Sequence, residues 1–217
     1  MTRFGNVKGI VFDLDGTLID SYEAITDSLN AALRAADLPP MKVDAVRGMV
    51  GMGLETLIAR AMGEERVAEG VRVFREHYDR VCVAGTSVLP EVAETLDALH
   101  RRGYRMAVAS NKPAHFGWRL LEGLHLRRFM TCVLGPDVVA NRKPHPEMVF
   151  RAMREMQTGT RDTLYVGDMD VDVETARAAG VPVIVVPTGS RSAEDLRSAG
   201  ADMLIDAFHD LLGLLPG

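Results

Sequence analysis

The sequence predicts an α/β protein with a Rossmann-like parallel sheet as its core and an inserted, all-helical cap domain. From residue 90 onward, short apolar runs alternate with helical patterns, which is typical of βαβ units. A similar apolar run lies near the start of the chain, and only helical periodicity is found between these two parts. We therefore expect residues 1–15 and 85–217 to form the core and residues 16–84 to form the cap.

The first strand of the core is predicted over residues 10–12, where an apolar run leads directly into acidic residues. Three helices are then expected in the cap, because apolar residues recur at helical spacing. Their apolar positions are Ile25, Leu29, Ala32 and Leu33, then Leu54, Leu57, Ile58 and Ala61, and finally Val67, Val71, Phe74 and Tyr78. Pro39 and Pro40 end the first helix, and Gly85 interrupts the last pattern.

The rest of the core is predicted as helices that alternate with strands. Helices are expected around residues 92–99 and 118–124, and strands over residues 106–109, 131–134, 163–166, 183–186 and 203–205. Strands that are apolar throughout are buried on both faces, so helices should cover both sides of the sheet. Ligands of such sheets bind at the carboxyl ends of the strands, and we look for functional residues there.

Composition and charge limit the classes of partner. The chain has 217 residues, enough for a core with a small insert, and a formal net charge of −5. An acidic chain with dispersed arginines offers no basic field to nucleic acid or to an anionic membrane. Its two cysteines, Cys82 and Cys132, form no disulfide framework. We expect a cytoplasmic protein, monomer or homodimer, that binds a small molecule.

Two carboxylates stand two residues apart at the end of the first strand. Because strand side chains alternate, Asp13 and Asp15 can both face one side at the carboxyl end of a buried strand. Gly16 permits a tight turn, and Thr17 adds a hydroxyl group. This geometry suits phosphoryl transfer to an aspartate, although an isolated acidic pair near a turn is more often solvated or caps a helix.

Three further polar segments follow in sequence order. Ser110 and Asn111 end one predicted strand, Lys143 lies in a loop, and Asp168 and Asp172 follow another predicted strand. In isolation, the segments around Ser110 and Lys143 would be interpreted as helix starts. Their occurrence together with the first acidic pair favours a functional site.

The four segments together resemble the motifs of the haloacid dehalogenase-like phosphohydrolases, and within them the phosphoglycolate phosphatase group. The resemblance covers nearly the whole chain, including the spacing between Asp168 and Asp172. It implies a phosphatase that hydrolyses small organic phosphomonoesters, above all 2-phosphoglycolate, through an aspartyl-phosphate. Asp13 would be the nucleophile, and Asp15 would act as general acid and then as general base.

The resemblance also implies a cofactor, Mg²⁺, which prefers oxygen ligands. Asp13 and Asp168 would bind the metal through their side chains, and Asp15 would bind it through its backbone carbonyl group. Asp172 would support the site by positioning Lys143 or a water molecule beside the metal.

Binding of the phosphoryl group is assigned by the same resemblance. Ser110, Asn111 and Lys143 would hold the phosphoryl oxygens by hydrogen bonds and by the charge of the ammonium group, which makes Lys143 part of the catalytic set. Gly16 and Thr17 would shape the loop around the nucleophile and donate backbone amides to the phosphate. Lys112 is expected to be solvated at a helix start, and His115 and His145 are interpreted as surface residues.

Substrate choice should depend on the cap, which closes over the leaving group. Residues 46–53 resemble the glycine-containing loop of phosphoglycolate phosphatases, where backbone amides can meet a small carboxylate, and a plain connection between helices fits the segment equally well. A sugar phosphomutase like β-phosphoglucomutase remains an alternative, as does a pyrophosphatase or nucleotidase of the same fold. A domain that binds a phospho-ligand without turnover is disfavoured, because the acidic residues and Lys143 are intact.

Overall fold

The computed structural model describes residues 4–216 and contains the predicted parallel sheet. Residues 1–3 and 217, which the predicted core includes, lie outside the described residues. The strands are β1 Gly9–Phe12, β2 Ile19–Asp20, β3 Ser87–Val88, β4 Arg105–Ala109, β5 Met130–Leu134, β6 Thr163–Gly167, β7 Val183–Val185 and β8 Met203–Leu204. Six of them form one sheet in the order β5-β4-β1-β6-β7-β8, with every neighbouring pair parallel. The predicted α/β fold class is confirmed.

Helices connect the strands and cover the sheet. They are α1 Tyr22–Ala35, α2 Val43–Arg47, α3 Leu54–Met62, α4 Val67–Val81, α5 Val92–Arg101, α6 Ala114–Gly123, α7 Glu147–Met156, α8 Asp170–Ala179, α9 Ala193–Ser198 and α10 Leu211–Leu214. The first four lie in the predicted insert, and the others alternate with the strands of the sheet. Parallel strands require such crossovers, since a short turn cannot join them.

Strand β1 shows why the sheet needs helices on both faces. All four of its residues are buried. Ile10 and Phe12 belong to one apolar cluster, and Val11 belongs to a second cluster on the opposite face, as alternation along a strand requires. The first cluster includes Leu96 of α5, and the second includes Val149 of α7. The end of β1 is therefore fixed from both sides in the middle of the sheet.

The insert differs from the predicted pattern by the short helix α2, which makes four helices instead of three, and by a strand. Strands β2 and β3 pair antiparallel, with Ile19 opposite Val88, and this ribbon carries the chain into and out of the helices α1–α4. Such a strand has two residues, and its partner is remote in sequence, so periodicity cannot reveal it. The structure thus adds a strand within residues 16–84, while the domain boundaries at 15/16 and 84/85 stay predictions.

Candidate active site

The site begins where β1 ends, between β4 and β6. The backbone N–H of Asp13 donates to the carbonyl of Val166 at 2.9 Å, which continues the pairing of β1 with β6. Ser110 and Asp168 directly follow β4 and β6, the two neighbours of β1. Because these strands are parallel, the residues that follow them meet at one edge of the sheet, as the sequence predicts.

Three buried carboxylates and one buried lysine form the centre of the site. Carboxylate oxygens of Asp13, Asp168 and Asp172 lie within 4.8 Å of one another. Nζ of Lys143 lies 3.0 Å from Oδ1 of Asp13 and 2.7 Å from Oδ1 of Asp172, and its side chain is only 1% exposed. Burial alone would lower the pKa of Lys143, but Asp13 and Asp172 raise it well above its usual value. The lysine is therefore a fixed positive charge.

Both carboxylate oxygens of Asp172 have hydrogen-bond partners within the protein. Its Oδ1 lies 2.7 Å from Nζ of Lys143 and 3.1 Å from the hydroxyl of Tyr165. Its Oδ2 accepts hydrogen bonds from the backbone N–H groups of Asp168 and Met169, at 3.1 and 3.0 Å. The geometry of Asp172 therefore serves to orient Lys143 and to fix the loop that carries Asp168, more than to bind a metal.

Asp168 has an oxygen that could bind a cation. Its Oδ1 accepts a hydrogen bond from the hydroxyl of Thr17 at 2.7 Å, whereas its buried Oδ2 has no hydrogen-bond partner among the described residues. A Cβ atom would lie 1.7 Å from this Oδ2 at Gly189 and 2.4 Å from it at Gly16. The two glycines thus leave space around an acceptor that would otherwise be costly to bury.

The charge of the cluster also fits a divalent cation. Asp13, Asp168 and Asp172 meet one ammonium group, that of Lys143, so negative charge is in excess. Burial raises the pKa of Asp13 to about 6 although Lys143 opposes this, and burial together with the neighbouring acids raises the pKa of Asp168 well above its usual value. Hard carboxylate oxygens that are short of positive charge are suited to a cation such as Mg²⁺.

The predicted phosphate-binding residues lie at this edge, but some of their polar groups are used within the protein. The N–H of Gly16, at a φ of 85°, donates to the carbonyl of Ile19 at 2.8 Å, and Thr17 donates to Asp168. Both residues therefore shape the loop, and the N–H of Gly16 is not free for a phosphate. Ser110 is buried and lines a cavity beside Asp13.

Asn111 joins three parts of the site. Its Oδ1 accepts from the backbone N–H of Lys143 at 3.0 Å, and its Nδ2 lies 2.9 Å from the carbonyl of Gly51 and 3.3 Å from that of Lys143. Its side chain thus fixes the backbone at Lys143 and ties the cap loop to the core. The predicted contact between this amide and a phosphoryl oxygen stays a prediction.

Lys112 is a residue whose position the sequence interpretation missed. Its side chain is 8% exposed instead of solvated, and its Nζ lies 2.9 Å from Oδ2 of Asp15. The hydroxyl of Ser21 donates to the other oxygen of Asp15. Lys112 directly follows Ser110 and Asn111 at the end of β4, and this continuity with a predicted site segment is the signal that could have identified it.

The cavity lies between the cap and the edge of the sheet. Asp13, Asp15 and Ser110 line its core side, and Gly51 and Gly53 of the cap loop line it too. Its remaining wall is mostly apolar and includes Ile25, Val50, Leu54, Leu57, Phe74 and Phe116. Arg47, the last residue of α2, does not line the cavity and pairs with Asp20 at 3.4 Å.

The two histidines near the motif segments, His115 and His145, lie outside the cavity lining. The side chain of His115 is 61% exposed and pairs with Asp137, and His145 is exposed, so neither contributes a side chain to the cavity. Among residues 4–216, no helix is both long and apolar enough to cross a membrane.

A parallel α/β sheet whose carboxylates and buried lysine meet beneath a helical insert defines a hydrolase of the haloacid dehalogenase type. The profile of the haloacid dehalogenase-like hydrolases matches residues 10–186, and the chain belongs to this family. Over 99% of its length it is 34% identical to the phosphoglycolate phosphatase of Salmonella typhimurium and 32% identical to that of Escherichia coli K12, covering 95% of each. The family resemblance predicted from the motifs is confirmed.

Solved structures agree with this assignment. A predicted phosphoglycolate phosphatase from Haemophilus somnus matches with a TM-score of 0.89 and 28% identity, over 96% of this chain and 98% of that chain. CbbY from Rhodobacter sphaeroides, solved in complex with phosphate, matches with a TM-score of 0.81 and 25% identity, over 94% and 96%. Nearly the whole of this chain is therefore similar to nearly the whole of each of these two structures.

Proposed function

We propose that the protein is a Mg²⁺-dependent phosphatase that hydrolyses small organic phosphomonoesters through an aspartyl-phosphate on Asp13, with 2-phosphoglycolate as the leading substrate. The observation that carries the proposal is the position of Asp13. Its carboxylate lies at the end of the central strand, lines the cavity and has its Oδ1 3.0 Å from Nζ of the buried Lys143. Relatives that are named phosphoglycolate phosphatases support the choice of substrate.

Asp13 and Asp15 would divide the chemistry between them. A carboxylate oxygen of Asp13 attacks phosphorus, the bond from phosphorus to the ester oxygen breaks, and Asp15 protonates the departing alkoxide. Asp15 then takes a proton from water, which attacks the phosphorus of the aspartyl-phosphate and releases inorganic phosphate and free Asp13. Asp15 lies at the cavity, where Ser21 and Lys112 orient its carboxylate.

The cation would be held by Asp13 and Asp168 through their side chains and by Asp15 through its backbone carbonyl. Mg²⁺ would supply positive charge between the attacking carboxylate and the phosphoryl oxygens. Lys143, oriented by Asp172, adds a second fixed positive charge beside Asp13. Ser110 lines the cavity next to Asp13, where its hydroxyl can donate to a phosphoryl oxygen.

The cavity wall argues against a sugar phosphomutase. A hexose leaving group carries several hydroxyl groups, each of which needs a hydrogen-bond partner when it is buried. The lining of the cavity offers mainly aliphatic and aromatic groups, among them Ile25, Leu57 and Phe74. A small leaving group fits this lining better.

The proposal is tested by phosphate release from 2-phosphoglycolate, pyrophosphate, glucose 1-phosphate and nucleoside monophosphates. A marked preference for 2-phosphoglycolate is the expected result. Faster phosphate release from pyrophosphate or a nucleotide than from 2-phosphoglycolate would support the phosphatase chemistry but assign a different substrate. Formation of glucose 6-phosphate without phosphate release would favour the mutase and contradict the proposal.

Removal of divalent cations should abolish turnover. The three carboxylates of Asp13, Asp168 and Asp172 carry more negative charge than Lys143 offsets, so a dianionic phosphate ester should not approach Asp13 without a cation. We expect EDTA to lower phosphate release at least about 100-fold and Mg²⁺ to restore it. Full activity after exhaustive chelation would exclude the metal-dependent mechanism.

Replacing Gly189 with alanine should weaken metal binding. The new Cβ would lie 1.7 Å from Oδ2 of Asp168, so this carboxylate would have to move. We expect about a 10- to 100-fold loss of Mg²⁺ affinity, measured by calorimetry and by Mg²⁺ titration of activity. Gly213→Ala is the matched control, because a Cβ there meets nothing within 4 Å. Equal Mg²⁺ affinity in both variants would show that this oxygen does not bind the metal.

A further inference from the structure

We propose that Lys112 and the hydroxyl group of Tyr78 form a subsite for an anionic group on the leaving group, which makes them specificity-determining residues for short phosphomonoesters that carry a carboxylate. This inference rests on the proposed phosphatase function and deepens it, since it names the chemical feature that the cap side of the cavity selects.

Charge at the cavity is unevenly distributed. The charged residues among its described lining are Asp13, Asp15 and Lys112. Apart from the ammonium of Lys112, the part of the lining that would face a leaving group is apolar or uncharged, with residues such as Ile25 and Phe74. An anion in this space would need a cation, because an unpaired buried charge is costly. Lys112 is the cationic side chain that lines this cavity within residues 4–216.

Lys112 is also in the right place relative to the reacting bond. Its Nζ lies 2.9 Å from Oδ2 of Asp15, the group that would protonate the leaving oxygen. In 2-phosphoglycolate, one methylene group separates the leaving oxygen from the carboxylate. A substrate whose ester oxygen faces Asp15 would therefore bring its carboxylate close to Lys112. An ammonium group has three N–H donors and can serve Asp15 and a substrate carboxylate together.

Tyr78 supplies a second donor from the cap. Its ring lies beside Lys112, with Nζ 5.0 Å from the ring centroid, and the residue lines the same cavity. Tyr78 is 2% exposed, and its hydroxyl interacts with the ammonium of Lys112 but finds no acceptor for its own proton among the described residues. A buried donor without an acceptor is unfavourable, and a bound carboxylate would satisfy it. Burial raises the pKa of Tyr78 to about 12, so the hydroxyl keeps its proton as a donor.

The ring of Tyr78 is held in place independently of the hydroxyl group. It stacks on Phe74 with centroids 5.4 Å apart and packs almost perpendicular to the ring of Phe116 with centroids 5.0 Å apart. Tyr78 and Phe74 belong to α4 of the cap, whereas Lys112 and Phe116 belong to the core. The proposed subsite is therefore complete when cap and core are in contact, which places substrate selection at this junction.

The test compares substrates that differ in the charge of the leaving group. 2-Phosphoglycolate, ethyl phosphate and phosphoethanolamine carry a negative, a neutral and a positive group at the same position. Steady-state kinetics would be measured for the wild type, Lys112→Met, Tyr78→Phe and the control Lys8→Met, which alters an exposed lysine outside the cavity lining. Thermal unfolding of each variant would show that it is folded.

We expect Lys112→Met to lower the preference for 2-phosphoglycolate over ethyl phosphate, as a ratio of kcat/KM, by roughly 10- to 100-fold, mainly through KM. In the same variant, the preference for phosphoethanolamine over ethyl phosphate should rise. Tyr78→Phe should lower the first ratio by about 3- to 10-fold, and Lys8→Met should leave it unchanged. A decrease in kcat/KM that is equal for all three esters would instead reflect the lost contact between Lys112 and Asp15.

Two different failures can be distinguished. If the loss in Lys112→Met is the same for all three esters, Lys112 only positions Asp15, and the inference is overturned while the phosphatase function stands. If the wild type releases phosphate from none of the esters in the presence of Mg²⁺, the proposed function fails and the inference fails with it.

Discussion

Asp13→Asn should lower kcat for phosphate release by about 10⁴-fold or more, because an amide cannot act as the nucleophile. The substitution keeps the size of the side chain and removes one negative charge from a cluster that has an excess of it. We therefore expect the variant to remain folded and still to bind the ester. Stopped reactions with excess substrate would check the mechanism, since no phosphoenzyme should accumulate in the variant.

Asp27→Asn is the matched control for this substitution, because Asp27 is exposed on α1 and outside the cavity lining. Its kcat should equal that of the wild type. If Asp13→Asn retained more than a tenth of the wild-type activity, the nucleophile would have to be another residue or a water molecule. Activity that returned slowly on storage would instead indicate conversion of the asparagine back to aspartate.

The central part of the site could be predicted because it depends on local rules. Asp13 and Asp168 each follow an apolar run of strand type, and parallel strands place such residues at one edge of the sheet. Lys143 could be assigned by the family resemblance, although its distance from Asp172 could not. The parts that follow from strand periodicity and motif order were thus accessible from the sequence.

The contacts between cap and core could not be predicted in the same way. Lys112 was expected to be solvated, since nothing local shows that Asp15 and Tyr78 bury its side chain. The hydrogen bond from Asn111 to Gly51 likewise depends on where the cap loop lies. Such contacts join segments that are distant in sequence, and they exist only once the insert has packed on the sheet.

Lys143→Met should cause the largest loss of stability among the single substitutions at the site. Methionine has a similar length, but it leaves the buried carboxylates of Asp13 and Asp172 without the ammonium that pairs with both. Breaking a buried ion pair from one side costs about 3–5 kcal/mol. We expect a decrease of this size in the free energy of unfolding without metal, measured by urea denaturation, together with loss of activity.

Added Mg²⁺ should offset part of this destabilisation, because a cation bound to the native state stabilises it and reduces the excess negative charge. Lys8→Met, at an exposed position, should change the free energy of unfolding by less than about 0.5 kcal/mol. A similarly small change in Lys143→Met would mean that Asp13 and Asp172 become hydrated or protonated without a decrease in the free energy of unfolding. Lys143 would then serve catalysis without stabilising the fold. A large loss would instead show that Lys143, the proposed phosphoryl-binding charge, also holds the carboxyl ends of β1 and β6 together. Lys143 contacts Asp13, which follows β1, and Asp172, which fixes the loop after β6.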